Sequence, residues 1–316
     1  MGQQLWVTDS LGGFLGNAKL SKQLRFAAQP LMKFRQFCQI KGALGKKKND
    51  TLVFDKVRNI STQGGTLIET DTIPERQFTI GQGTLTITEY GNAIPYTGKL
   101  DALAEFDVDN AVTVSLRNDM AKVLDIGVSN QFLACEMKYF ALSSTTYTLN
   151  TLTSGAASDG TETCSTALND FHVKKIINFM KKNNVGPYDG KDYICIGAID
   201  AISALTDATD WTDAAKYGDP ERLFTGEVGR FYGCRFVEEN NILSNTMGDG
   251  STNGEAVFFG ADACMEGMAV PEELRAKVPT DYGRSQGVAW YGLMGWKKIW
   301  DVSNDAEPHI IHFNPL

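Results

Sequence analysis

The sequence of 316 residues lacks the features that mark membrane, secreted and zinc-binding proteins. Its longest apolar runs are far shorter than the roughly 20 residues that a bilayer-spanning helix needs. Residues 1–10 show no basic segment followed by an apolar stretch. No CxxC pair is present, which argues against a zinc ribbon or a redox dithiol motif. We therefore expect a protein with no membrane contact and no secretion signal.

The cysteines are few and widely spaced, and they lie at positions 38, 135, 164, 195, 234 and 264. Such spacing is typical of buried, reduced thiols in a protein made in a cytoplasm. The charge balance also bears on partners, because 38 acidic residues outnumber 30 basic ones and give a formal charge of −8. A surface that grips nucleic acid is normally basic. If this protein meets DNA, we expect it to enclose the DNA and not to bind it tightly.

No nucleotide-binding motif is present. Gly45-Lys46 resembles the end of a phosphate-binding loop, but Ile40 stands where the first glycine is required and Lys47 stands where Ser or Thr is required. The alternation of strand and helix around Gly197 could indicate a dinucleotide site, yet no glycines there or at 226, 229 and 233 have the GxGxxG spacing. We interpret these glycines as turns.

The histidines do not form a recognisable site. A catalytic histidine needs a carboxylate or nucleophile within hydrogen-bond range, and no local pattern supplies one for His172, which we interpret as a structural or surface residue. His309-x-x-His312 could bind a metal on a helix, but Ile310 and Ile311 favour a strand, on which positions three apart face opposite sides. We therefore identify no catalytic, cofactor-binding or metal-ligating residue.

The hydrophobic periodicity predicts an α+β protein. Thr51–Phe54 and Thr84–Thr88 alternate as strands do, with a polar stretch of about 30 residues between them that is long for a loop in a compact domain. Apolar residues from Val108 to Cys135 recur at helical spacing and predict a long helix over Asp107–Met137, with Asp107 as its cap. Further elements are predicted as a helix over 169–182, strands at 192–198, 256–260, 287–291, 295–300 and 309–313, and a helix ending near Leu205.

One stretch carries a more specific signal. Residues 209–242 contain Trp211, the turn Lys216–Pro220, Gly226–Gly229 and the apolar strand Tyr232–Val237. This string resembles the central domain of major capsid proteins of tailed bacteriophages, which share the Hong Kong 97-like coat fold. Residues 287–313 resemble the family more weakly, and residues 1–50 match no part of it.

The resemblance implies a division of the chain. It implies an N-terminal arm over 1–50, a strand, extended β-hairpin loop and strand over 51–97, a spine helix of a peripheral domain over 98–140, an axial domain over 141–286, and return strands of the peripheral domain over 287–316. The legs of the hairpin are expected at Thr66–Glu69 and Gln77–Ile80, and Ala261–Gln286 is expected to form a loop near the capsomer centre.

The resemblance also implies a function in assembly. Members of the family build hexamers and pentamers of an icosahedral head that encloses double-stranded DNA without sequence-specific binding, which implies a place in the virion after synthesis in the host bacterial cytoplasm. Portal, scaffolding and decoration proteins are implied partners, and no cofactor is implied. Two alternatives stay open: an encapsulin-like nanocompartment shell, and an α+β enzyme using acidic residues such as Asp207, Asp210, Asp213, Glu238 and Glu239.

Overall fold

A computed structural model describes residues 32–41, 50–58, 65–70, 72–73, 75, 77–104, 107–152, 164–206, 229–243, 254–279, 281–282 and 284–314. It has the mixed α and β content that the periodicity predicts. Most of the stretch that carries the sequence resemblance, residues 209–228, lies outside the described residues, as does Lys46–Lys48. Among the described helices, none is long and apolar enough to cross a membrane.

The larger hydrophobic core surrounds a seven-stranded sheet, with apolar side chains packed on both of its faces. Its spatial order is β6-β5-β13-β10-β7-β9-β8. These strands are β5 (Met137–Ala141), β6 (Tyr147–Thr151), β7 (Tyr193–Gly197), β8 (Arg230–Phe231), β9 (Cys234–Glu238), β10 (Ala256–Phe259) and β13 (Ile310–Phe313). Central strands β7, β10 and β13 are buried along their whole length. Their near-continuous apolar sequences follow from burial on both faces.

Two helices cover opposite faces of this sheet. Helix α3 (Asp170–Lys182) packs Val173, Ile176 and Met180 against one face. Helix α2 (Val108–Leu133) packs Leu124, Val128 and Phe132 against the other. A short helix α4 (Ile199–Thr206) follows β7 and joins the α3 side of the core. The two apolar stripes therefore set the two layers that enclose the sheet.

Helix α2 begins where the sequence predicts. The Asp107 carboxylate accepts a hydrogen bond from the backbone N–H of Asn110, as an N-cap does. The helix ends at Leu133, so the predicted end at Met137 is wrong. Met137 opens strand β5, because the apolar residues after Leu133 enter the sheet and leave the helical stripe. With 26 residues the helix is roughly 39 Å long at about 1.5 Å per residue.

The second core lies along the N-terminal half of α2. A four-stranded sheet has the order β1-β11-β12-β4. Its strands are β1 (Gln39–Lys41), β4 (Thr88–Thr97), β11 (Cys264–Ala276) and β12 (Ser285–Lys298), and helix α1 (Gly98–Leu103) follows β4. Trp290 of β12 packs among Val108, Val112 and Leu116 of α2. One helix thus supports both sheets.

Three predictions for residues 261–313 need correction, one in the type of element and two in the extent or pairing of strands that do form. Ala261–Gln286 is not a loop, since β11 pairs with β12 over ten residue pairs. Its sequence hides the strand because Pro271 and adjacent acidic residues are unusual in strands, and the pairing accommodates them with register shifts between Met268 and Glu273. The two strands expected at 287–291 and 295–300 are one strand, β12. Strand β13 pairs in the seven-stranded sheet and not beside β12.

Candidate functional site: the hairpin and its root

A two-stranded hairpin stands apart from both larger sheets. Strands β2 (Thr51–Val57) and β3 (Ile80–Thr86) pair with each other alone, from Thr51 opposite Thr86 to Val57 opposite Ile80. The strand predicted at residues 51–54 is therefore confirmed as one side of a hairpin, and the strand predicted at 84–88 is confirmed as its other side for residues 84–86, whereas Thr88 begins β4. The legs expected at Thr66–Glu69 and Gln77–Ile80 are wrong except for Ile80, because the other described residues there lie outside any strand.

The outer face of the hairpin exposes apolar side chains together with polar ones, because Asp55 and Gln82 face outward between them. Val53, Val57 and Ile80 each have half or more of their surface exposed, and Val57 and Ile80 are directly opposite each other. Beyond the paired strands, further apolar side chains are exposed, namely Leu67, Ile68, Ile73 and Phe78. The adjacent pair Val57 and Ile80, with the exposed apolar side chains beyond it, makes this end of the hairpin a candidate interaction site.

The inner face of the hairpin attaches to the body through a small apolar cluster. Phe54 of β2 and Leu85 of β3 are buried against Met265 and Ile299. The contact is close enough to require a glycine at position 295, because a Cβ atom there would lie 2.1 Å from the carbonyl oxygen of Thr86. The root of the hairpin is therefore fitted to the four-stranded sheet with no space for an added methyl group.

A buried carboxylate lies beside this cluster. Asp305, at the end of helix α5 (Val302–Asp305), has a side chain with 0% exposure. Its Oδ2 atom lies 2.5 Å from Nζ of Lys56, and its Oδ1 atom lies 2.8 Å from Nη2 of Arg58. The Lys56 ammonium, 7% exposed, also lies 5.7 Å from the ring centroid of Trp300. One carboxylate of the body thus holds two cations of the hairpin, and we call these three residues the Asp305 hub.

The hub keeps Asp305 ionised. Burial favours the neutral acid and raises the pKa, but the hydrogen bond from Lys56, the backbone N–H of Asp301, and the charges of Lys56 and Arg58 outweigh burial. The pKa of Asp305 therefore lies below its ordinary value of about 3.9. The attachment is charged throughout the neutral range.

His172 is a structural residue, as expected. Its Nε2–H donates to the Ser143 carbonyl at 3.0 Å, so its Nδ1 atom accepts from the Tyr139 hydroxyl at 2.8 Å. Burial lowers the pKa of His172 to about 4. The ring is neutral at physiological pH and both of its nitrogens are used inside the core.

The other two histidines are separated, as the strand prediction implies. Nδ1 of His309 lies 2.6 Å from the Ala261 carbonyl oxygen, and the ring stacks on Trp300. His312 is buried in β13, with Nδ1 3.0 Å from Nζ of Lys138 and Nε2 3.3 Å from Glu255. The part of the chain that the structure describes contains no group of three or more His, Cys, Asp or Glu side chains arranged for a metal.

Of the five acidic residues named for the enzyme alternative, the structure describes only Glu238 and Glu239. Asp207, Asp210 and Asp213 lie outside the described residues. Glu239 is buried, and its carboxylate accepts backbone N–H groups of Asn241, Ile242 and Leu243. Glu238 accepts a hydrogen bond from the Asn240 side chain. The described pair thus caps a turn after β9 and does not converge on a cleft.

All six cysteines are buried, which confirms the expectation of interior thiols.

The hub is what sequence reasoning missed. Its signal was present in strand β2, where Lys56 has the same strand parity as the buried Phe54 and must therefore enter the core with a partner. The partner lies 249 residues away in sequence, so no local pattern could identify Asp305.

Comparison by sequence finds no matching protein family and no matching curated protein. Comparison by structure finds phage capsids over nearly the whole chain. The capsid of Helicobacter pylori bacteriophage KHP30, described as acid-stable, matches with a TM-score of 0.69 at 11% identity, covering 95% of this chain and 96% of its own. The capsid of cyanophage Pam1 matches with a TM-score of 0.68 at 15% identity, covering 97% and 98%.

The capsid of Ralstonia phage GP4 has a TM-score of 0.65 at 16% identity and covers 99% of this chain and 98% of its own. At identities this low, the structural matches establish the fold alone. They cover 95–99% of this chain, which includes both larger sheets, the long helix and the hairpin. The chain has the fold of these phage capsid structures, the α+β, Hong Kong 97-like architecture that the sequence resemblance predicts.

Proposed function

We propose that this protein is the major capsid protein of a tailed, double-stranded DNA bacteriophage. In this proposal, identical copies form hexamers and pentamers of an icosahedral head that encloses the genome. The observation that carries it is the β2–β3 hairpin, whose outer face exposes the cross-strand apolar pair Val57 and Ile80 on a chain with the fold of phage capsids. Such a face needs a partner surface, and in a shell the partner is a neighbouring copy.

The hairpin suits a head-to-tail contact. One surface of each copy meets a different surface of the next, and contacts of this kind close into rings when the rotation between copies allows it. Burial of apolar surface stabilises such contacts by about 25 cal/mol per Å². The Asp305 hub holds the hairpin to the body, so that its outer face is presented in a fixed direction. The function proposed here is assembly and not catalysis.

We propose the same division of the chain that the sequence implies, with three strands reassigned by the sheets in which they pair. The arm covers 1–50, the hairpin and its strands 51–97, the spine 98–140, the axial domain 141–286 and the return strands 287–316. Strands β5 and β13 are assigned to the axial domain and β11 to the peripheral domain. This assignment is supported by the pairing of β5 and β13 in the seven-stranded sheet and of β11 in the four-stranded sheet.

The partners follow from the same proposal. They are other copies of the chain, portal and scaffolding proteins, decoration proteins, and packaged DNA held without sequence specificity. The net charge of −8 supports weak, salt-sensitive contact with DNA. The site of action is the virion capsid, after synthesis in the host bacterial cytoplasm. An encapsulin-like shell would instead contain cargo protein, so the contents of purified particles distinguish the two.

The test uses the cross-strand pair of the outer face. Val57→Lys or Ile80→Glu alone places one charge on this face, and we expect either variant to reduce assembly into capsomers and shells. The double variant Val57→Lys/Ile80→Glu places opposite charges directly across the hairpin, which supports strand pairing but leaves the face polar. Sedimentation of each purified variant measures assembly, and circular dichroism confirms folding.

The double variant separates two explanations. If assembly requires an apolar face, the double variant stays as defective as the single ones. If the single variants only weaken the hairpin, the double variant recovers assembly. Recovery, or normal assembly of all three variants, would contradict the proposed contact.

A further inference from the structure

Four of the six cysteines lie in two neighbouring pairs inside the described part of the chain. The thiol of Cys38 interacts with that of Cys264, and the thiol of Cys195 interacts with that of Cys234. Each pair is buried in one apolar cluster, the first on the α2 side of the large sheet and the second on the α3 side. The cysteines of the first pair are directly opposite each other across neighbouring strands, whereas those of the second pair are offset by two residues along the strands.

Cys38 and Cys264 lie directly across two parallel strands. Strand β1 pairs with β11 so that Gln39 is opposite Met265. Cys38 precedes Gln39 with an extended backbone, and Cys264 precedes Met265, so the cysteines occupy the preceding position of the same register. Neighbouring strands lie about 4.7–4.9 Å apart. A disulfide requires Cα atoms about 4.4–6.8 Å apart, so this pair is within bridging range.

Cys195 and Cys234 are offset. Strand β7 pairs in parallel with β9 so that Tyr193 is opposite Cys234 and Cys195 is opposite Phe236. The offset of two residues adds roughly 6.6 Å along the strand to about 4.8 Å across it, which separates the Cα atoms by about 8 Å. Cysteines more than about 7 Å apart cannot be bridged unless the backbone moves. This pair is an internal control with a similar thiol contact.

The strand that carries Cys38 belongs to a segment anchored by charge. The Asp125 carboxylate of α2 accepts backbone N–H groups of Lys33, Phe34 and Arg35. The Arg35 guanidinium binds Glu266 of β11 at 2.9 Å and Glu272 at 2.6 Å. Segment 32–41 is thus attached to the body by these contacts before Cys38 and by the pairing of β1 with β11 after it.

We propose that Cys38 and Cys264 are a disulfide site, which fastens segment 32–41 covalently to β11 when the protein meets a small-molecule disulfide oxidant. The two thiols lose two electrons and two protons and form one S–S bond, while the S–S bond of the oxidant is cleaved to two thiols. Attack starts at Cys38, which is 8% exposed, whereas Cys264 is fully buried. Cys264 then displaces the bound half of the oxidant.

The surroundings make the site slow to oxidise. The interaction with Cys264, burial, and the charge of Glu266 raise the pKa of Cys38, and the charge of Arg35 opposes them. The thiolate is the attacking form, so little of it is present at neutral pH. We therefore expect the bridge to be absent in a reducing cytoplasm and to form gradually after transfer to an oxidising medium. The site does not depend on the proposed shell function.

The test is oxidation of the purified wild-type chain by oxidised glutathione under native conditions. Remaining thiols are alkylated, and a non-reducing digest is analysed by mass spectrometry. The expected result is one cross-linked peptide pair joining Cys38 to Cys264, loss of two of the six thiols, and a higher thermal unfolding midpoint that reductant reverses. Cys38→Ser should abolish both the link and the shift, whereas Cys195→Ser should leave both unchanged.

Three results would overturn the proposal. One is retention of all six thiols after prolonged oxidation of folded protein. Another is a Cys195–Cys234 link that forms as readily as the Cys38–Cys264 link. The third is a stable glutathione adduct on Cys38 with no bridge to Cys264. All three are read from wild-type protein, so the test stands even if a serine variant fails to fold.

Discussion

Replacement of Asp305 by Asn tests how the hairpin is attached. The variant keeps the side-chain shape and removes the charge that holds Lys56 and Arg58. Removal of one partner from a buried ion pair costs about 3–5 kcal/mol, because the other charge is left buried without compensation. Lys56 is 7% exposed and carries this cost, whereas Arg58 is 36% exposed and adds at most about 1 kcal/mol.

The assay is amide hydrogen exchange of β2 and β3 in unassembled subunits. Because about 1.4 kcal/mol corresponds to a factor of ten, a total cost of about 3–6 kcal/mol should lower the protection of these amides by roughly two to four orders of magnitude, or to the unprotected limit. Amides in β7 and β10, in the centre of the large sheet, should keep their protection. The Asp305 hub thus stabilises the hairpin locally and not the large sheet.

The control is Asp170→Asn, which removes an exposed i,i+4 ion pair with Lys174. Such a pair contributes only about 0.3–0.5 kcal/mol. Equal protection of the hairpin in Asp305→Asn, Asp170→Asn and wild-type protein would refute the reasoning. The depressed pKa gives a second signature. Stability from Asp305 is fully present above about pH 4, its unfolded pKa, and is lost as the pH falls further through the folded value.

Two other features give predictions that unfolding experiments can check. Folding lowers the pKa of His172 from 6.5 to about 4, so the unfolded protein binds a proton at a higher pH than the folded protein does. The His172 contribution should therefore lower the free energy of unfolding by about 3 kcal/mol between pH 6.5 and pH 4. His172→Gln should remove this contribution to the pH dependence, measured by urea titrations at several pH values, and an unchanged pH dependence would contradict the prediction. Gly295→Ala should destabilise the protein by about 1–3 kcal/mol, because its Cβ atom would clash with the Thr86 carbonyl oxygen. The control Gly65→Ala, whose Cβ atom has nothing within 4 Å, should change stability by less than about 1 kcal/mol. Equal urea midpoints for the two variants would show that the hairpin root is not tightly fitted.

The sequence predicts those elements whose signals are local. Helix α2 is marked by an apolar stripe and by Asp107, and helix α3 by Asn169, which caps it. Strand β11 escapes such reasoning because Pro271 and neighbouring acidic residues oppose strand formation, and pairing with β12 overrides them. The assignment of β13 to the large sheet depends on pairing with β10 and β5, which no periodicity encodes.

In the candidate site, too, local sequence signals predict some features and long-range contacts determine the others. Alternation in β2 indicates which residues face outward, so the exposure of Val53 and Val57 is predictable once the hairpin is known. The Asp305 hub and the Cys38–Cys264 pair are long-range contacts that depend on how distant strands meet. Both join residues more than 200 positions apart, and only the folded structure brings them together.

Electron microscopy of the purified protein at assembly concentration, with sedimentation to separate subunits from particles, tests the central proposal most directly. We expect closed icosahedral shells or ring-shaped capsomers built from this chain. A folded protein that remains a monodisperse monomer at every concentration, also when expressed with its assembly partners, would contradict it.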